Sequence, residues 1–109
     1  MSNLKNKVQL IGNVGAKPEI LTMESGKKLA KFSLATNESW KDEKGEKVTN
    51  THWHNLVAWN GTAEIIEKYV GKGKEIAIDG KLTSSSYEDK DGNKRYTTEV
   101  VVNEVLLMN

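Results

Sequence analysis

Three tryptophans and a tyrosine stand among lysines in this chain. Trp53 and Trp59 lie six residues apart in one run of strand character. They therefore share a face, separated by about 20 Å at ~3.3 Å per residue. Trp40 closes the preceding strand-like run, and Tyr87 falls on a later hairpin. Exposed rings with cations between them suit unpaired bases, because each stacked base contributes ~1–3 kcal/mol. The competing reading is that the rings fill the core, where most strand tryptophans are at least partly buried. Leu56 and Ala58 already supply an inner face for this strand, and Asn55 between the two tryptophans suits an open surface.

Other reactive constellations are weak. His52 and His54 place two imidazoles on one strand face, half of a zinc site at most. They are the only histidines and there is no cysteine, so any further ligands would be carboxylates. A packed or interface role for His54 and a partly solvated His52 is the plainer reading, and no metal or cofactor is expected. Gly71-Lys72-Gly73-Lys74 resembles a phosphate loop only loosely and reads as a helix end followed by a strand start. Ser84-Ser85-Ser86 has no base partner in view. The chain has no GxxxxGK[ST] loop, no HExxH and no nucleophile elbow. Binding, not catalysis, is the expected activity.

Composition sets the frame. The 109 residues suit one domain, 1–109, with a single core. Without cysteine, disulfides and thiol chemistry are excluded. No apolar run approaches a membrane span, and the N-terminus has no long apolar stretch, so a soluble, unexported, cytoplasmic protein is expected. The net charge of +1 at first argues against a nucleic-acid partner. The average hides a gradient. Residues 1–36 carry six Lys and two Glu, a net +4, while the rest is slightly acidic. Cations act over about a Debye length, ~8–10 Å, so placement outweighs the total. Fifteen of the sixteen cations are lysine, which binds phosphate as a point charge and reads base edges poorly.

These side chains must be held by strands. Lys5–Val14 alternates Val8 and Leu10 against Lys7 and Gln9, with Gly12, Gly15 and Pro18 as punctuation. Lys28–Thr36 alternates Ala30, Phe32 and Leu34 against polar or small residues, and Lys41–Lys47 reads as a solvated loop. Val48–Trp59 is a long strand with both faces partly apolar, so its period alone does not mark the core side. Thr62–Val70 is the one helix, with Ala63, Ile66 and Val70 on its inner face, Tyr69 beside them, a Glu64–Lys68 pair and Gly71 as a left-handed cap. Lys74–Leu82 is a strand with Ile76, Ile78 and Leu82 on one face. Ser84–Tyr96 reads as a hairpin turning at Asp91-Gly92, which sets Glu88 opposite Arg95 and Tyr87 opposite Tyr96. Val100-Val101-Val102 marks a last strand buried on both faces. The fold class is all-β: a five-stranded OB-fold, a Greek-key barrel with one short helix between its third and fourth strands. That barrel binds oligonucleotides or oligosaccharides.

At these residues the whole chain resembles the bacterial single-stranded DNA-binding protein family. The resemblance runs through Asn6-Lys7-Val8, Gly12-Asn13-Val14-Gly15, Pro18-Glu19, Phe32 to Thr36 and Glu38-Ser39-Trp40. It continues in Trp53-His54-Asn55, Ala63-Glu64, Tyr69 to Gly73, Ile78 to Leu82 and Arg95 to Val100. Order and spacing together make it specific. It implies a homotetramer, with a dimer as the alternative, and a single strand wrapped outside in replication, recombination and repair. It implies stacking at Trp40, Trp53, Trp59 and Tyr87, with Lys72 and Arg95 near phosphates and His54 at a subunit interface. Asn55, Lys7, Lys31 and Lys81 complete the candidate set.

Two departures shape the expectation. Leu21, Asn55, Thr83 and Ser85 are neutral where the family is often basic, so the salt dependence should be shallow, at ~0.7 in slope per phosphate contact. The chain stops at Met108-Asn109, where relatives continue into a linker and an acidic tip. If this is the natural length, recruitment of other proteins by that tail is absent. The alternatives are a tailless primosomal-type protein of replication restart and an OB module for a ligand other than nucleic acid. Lysines beside the rings weigh against a neutral sugar.

Overall fold

A computed structural model describes residues 5–108. Residues 1–4, read above for a leader, and Asn109 lie outside it. The elements in order are β1 (Val8–Val14), β2 (Glu19–Thr22), β3 (Lys28–Lys41), β4 (Lys47–Trp59), α1 (Asn60–Tyr69), β5 (Glu75–Glu88) and β6 (Lys94–Leu107). The strand order is β1-β5-β6-β4-β3-β2, and a further β1–β3 pairing closes the sheet on itself. All described pairings are antiparallel except the β4–β6 pair, which is parallel. Without the short edge strand β2, this is the expected five-stranded Greek-key barrel. The helix lies between β4 and β5, the third and fourth of the five barrel strands.

The alternation read from the sequence sets the core. Val14, Phe32, Leu34, Leu56, Ala58, Ile76, Ile78, Val100 and Val102 point inward and are buried. Ala63, Ile66 and Val70 of the helix join them. Asn60 starts the helix directly after β4 with φ +51°, a left-handed conformation that asparagine tolerates. Its Oδ1 lies 3.3 Å from the Lys28 backbone nitrogen, which donates to it.

Four local expectations change. Tyr69 is exposed, one position off the inner face of the helix. Gly71 is not left-handed, because Val70 leaves the helix in extended conformation, and the positive φ belongs to Gly73. The expected Glu64–Lys68 pair is not among the ion pairs of the described residues; the helix carboxylate that is paired is Glu67, 2.7 Å from Lys28 Nζ. Leu82 is exposed, because β5 leaves the barrel beyond Gly80, where its register with β6 shifts.

The largest change is in the hairpins. Three loops close alike, at Met23–Lys27, Asp42–Glu46 and Asp89–Asn93. In each, the fourth residue is a glycine at φ between +81° and +89° that donates to the carbonyl of the first. The last loop therefore spans five residues, not two. Asp89 Oδ1 fixes it by accepting from the Asp91 and Asn93 backbone nitrogens at 3.0 and 2.9 Å. Tyr87 now pairs with Arg95, and Ser86 with Tyr96. Tyr87 and Tyr96 thus point to opposite faces of the ribbon, and the expected aromatic pair does not form.

Candidate nucleic-acid interface

Directly paired residues in a sheet share a face. The outward face of β3 and β4 carries Leu29–Trp59, Lys31–Val57, Ser33–Asn55 and Ala35–Trp53 as successive rows. Trp53 and Trp59 therefore do share a face, with Asn55 and Lys31 between them. The Lys31–Val57 row continues through Val101 to Lys81. One lysine thus stands on each side of the β4 segment between the two rings. Beyond Lys81 the same face of the β5–β6 ribbon carries Thr83, Ser85 and Tyr87. Trp53, Tyr87, Trp40 and Trp59 are 61%, 54%, 46% and 41% exposed, so none is a core residue.

Trp40 differs in one respect. It pairs with Val48 and lies in register with Phe32, Leu34 and Thr36, so it points to the other face of the β3–β4 ribbon from Trp53. A strand touching both rings must cross the ribbon. Leu21, neutral where the family is often basic, adds apolar surface here. It pairs with Leu29, and Leu29 pairs with Trp59, so an apolar row runs outward from that ring.

Trp53 rests on a glycine. A Cβ on Gly15 would fall against Cζ3 of the Trp53 ring, 3.0 Å from its Cη2 and 2.8 Å from Ser33 Oγ. The backbone φ of Gly15 is not in the left-handed range, so the glycine is needed for space alone. Gly15 is positioned by its N–H, which donates to the Ser33 carbonyl at 3.0 Å. We expect Gly15→Ala to tilt the ring and lose part of the ~1–3 kcal/mol of one stacked base. Titration against a single-stranded oligonucleotide checks this. The loss must vanish when Gly15→Ala is made in a Trp53→Ala background.

The remaining basic candidates divide. The turn bearing Lys72 is tied beside this platform, since Gly73 N–H donates to the Val14 carbonyl at 2.7 Å. Lys7, just before β1, has its ammonium 3.6 Å from Asp79. Arg95 is next to Tyr87 in register, but its Nε donates to Asp89 Oδ2 at 2.8 Å and not to the expected Glu88. Lys94 stands 5.7 Å over Tyr96 on the reverse face. His54 is half-buried with Nε2 2.9 Å from Thr36 Oγ1, and the exposed His52 reaches Glu38 at 2.8 Å. Among the described residues no three His, Asp or Glu converge as metal ligands, and no helix is long and apolar enough to cross a membrane.

A second surface has a different character. Ile11, Ala77 and Leu106 form one row across β1, β5 and β6 on the barrel exterior. Ile11 and Leu106 are well exposed. Among the described residues, β1 pairs with β3 only at Asn13 and Val14, which leaves the rest of that edge open.

Residues 5–108 match the model of the single-strand binding protein family. The chain is 44% identical over 104 residues to a Xylella fastidiosa protein named "Single-stranded DNA-binding protein 1", covering 94% of this chain and 76% of that one. It is 46% identical over 104 residues to the Rickettsia typhi single-stranded DNA-binding protein, covering 94% and 68%. A Rhizobium meliloti relative of the same name is 44% identical over 104 residues, and there the chain spans 60% of the relative's length. Among solved structures, one titled "Plasmodium falciparum SSB complex with ssDNA" matches with a TM-score of 0.85 and 34% identity, covering 95% of both chains.

Proposed function

This chain belongs to the single-strand binding protein family, and from that premise we propose that it binds single-stranded DNA without regard to sequence, by base stacking supplemented by lysine–phosphate contacts. It acts as one domain and performs no reaction: holding bases on rings keeps strands apart during replication, recombination and repair in the cytoplasm. The observation that carries this reading is the outward face on which Trp53 and Trp59 flank Asn55 and Lys31, with Lys81 and Tyr87 continuing it. Rings about 20 Å apart leave room for several bases between them. Duplex DNA hides its base faces and offers such a surface only phosphates. Anisotropy of a labelled, unstructured oligonucleotide should rise at far lower protein concentration than that of the same sequence as duplex. Equal affinity for the two would end this reading.

The protein works as a homo-oligomer, a tetramer in the first instance. The Ile11–Ala77–Leu106 row supports this, being an apolar strip on the barrel exterior beside an open strand edge. A two-fold contact would bury the row against its own copy. Leu106→Glu should reduce the mass in solution by at least half at micromolar concentration, as read by light scattering. An unchanged mass would place the interface elsewhere.

A further inference from the structure

The two long hairpins end in loops built alike. Asp42 and Asp89 hold the same place in them, each three residues before a left-handed glycine. Each uses Oδ1 to accept two backbone N–H groups. These come from Lys44 and Glu46 in one loop, both at 2.9 Å, and from Asp91 and Asn93 in the other. The loops differ in the second carboxylate oxygen. Oδ2 of Asp89 accepts from Arg95 Nε at 2.8 Å, whereas Asp42 takes part in no ion pair among the described residues. The Asp42 loop shows that the turn requires one oxygen only. The other oxygen of Asp89 is spare, and it holds the only arginine in the chain.

Asp89 is the fixed partner. Its side chain is 20% exposed and tied to the loop backbone, while that of Arg95 is 59% exposed. The Arg95 bond first, and then the Asn93 N–H, hold the Asp89 carboxyl below its ordinary value, so it is ionised at neutral pH. Arg95 lies directly across from Tyr87 and faces the same way. A carboxylate therefore stands where the phosphate of a base stacked on Tyr87 would seek the guanidinium.

We propose that Asp89 is a built-in competitor of the nucleic-acid phosphate for Arg95, and that it holds down the affinity of the β5–β6 ribbon. This rests on the reading of that ribbon as part of the single-strand path. An arriving phosphate must displace the carboxylate or bind beside a like charge, and either course weakens what a free arginine would contribute. The rest of the face keeps its strength, so a strand can leave the ribbon while still stacked on the barrel.

The test is Asp89→Asn, which keeps the Oδ1 acceptor for the turn and removes the acceptor facing Arg95. Binding to an unstructured single strand at low salt should tighten about two- to fivefold. The log–log salt slope should steepen by up to ~0.7, the share of one phosphate contact. Asp42→Asn adds the same net charge at the matching loop and should change neither. In an Arg95→Gln background, Asp89→Asn should give no gain. If Asp89→Asn lowers the melting temperature, Asp89→Ser, a weaker uncharged cap, must show the same gain. Equal or weaker binding by Asp89→Asn and Asp89→Ser, each made in the otherwise unaltered chain, would overturn the proposal. So would a gain that persists without Arg95, because that would be charge alone. Failure of the unaltered protein to bind a single strand would instead overturn the functional reading beneath it.

Discussion

Trp53→Ala weakens single-strand binding by ~1–3 kcal/mol, or roughly five- to 150-fold, and leaves the barrel folded. The expectation follows from where the ring stands. Trp53 is the most exposed of the three tryptophans, on the outward face opposite Leu34, Leu56 and Ala58. Its ring lies over Gly15, not in the core. Removing it leaves no internal cavity, so melting should shift by little. Trp53→Phe keeps a smaller ring on the same platform and should lose only part of the affinity. A Trp53→Ala variant that unfolds would return this ring to the core. One that binds unchanged would remove it from the path.

The second large effect concerns stability. Gly12 faces inward on β1, where the barrel closes against β3. A Cβ there would collide with the Ala35 carbonyl oxygen and lie 3.0 Å from its carbon. Gly80 meets the Val101 carbonyl in the same way. Backbone cannot swing aside as a side chain can, so strands must separate for a methyl group to enter. Gly12→Ala should cost at least the ~1–3 kcal/mol of overpacking, several degrees in melting temperature for a domain of this size. Gly71→Ala is the matched control. Nothing lies within 4 Å of its would-be Cβ and its φ is ordinary, so it should be neutral or stabilising by up to ~1 kcal/mol. Calorimetry of the two variants separates close approach from glycine content as such.

The barrel was legible because its core obeys a period of two. Ala30, Phe32 and Leu34 alternate cleanly in the sequence, and all are buried. For Val48–Trp59 the period alone does not choose, because both faces are partly apolar; Leu56, Ala58 and Asn55 bring the outward reading of the tryptophans level with the core reading, and the family resemblance tips it. What escaped depends on backbone geometry that residue types do not encode. Asp91-Gly92 carries a two-residue turn signal, yet the Asp89 carboxylate closes a five-residue loop and moves the register of every ribbon residue beyond it. That shift parts Tyr87 from Tyr96 and gives Arg95 a different acid. The repeated Asp-x-x-Gly spacing in both loops was the available signal. β2 is four residues long with mixed polarity, too short for a period to show. Gly15 reads as punctuation until the Trp53 ring is seen lying on it. Trp40 and Trp53 come from different strands, and only the β3–β4 register shows that they face opposite ways.

A net charge of +1 now has a physical account. Of the cations expected at phosphates, Lys7 faces Asp79 and Arg95 faces Asp89. The aromatic face keeps Lys31 and Lys81, with Lys72 on the adjoining turn. On the proposed reading stacking supplies most of the binding, and stacking is far less sensitive to salt than phosphate contact. Intrinsic tryptophan fluorescence reads this directly, in a titration with an unstructured single strand and its duplex at low and high salt. The account predicts deep quenching by the single strand that largely survives the rise in salt, and little quenching by duplex. No quenching by the single strand, or binding that collapses with salt at a slope of many phosphate contacts, would contradict it.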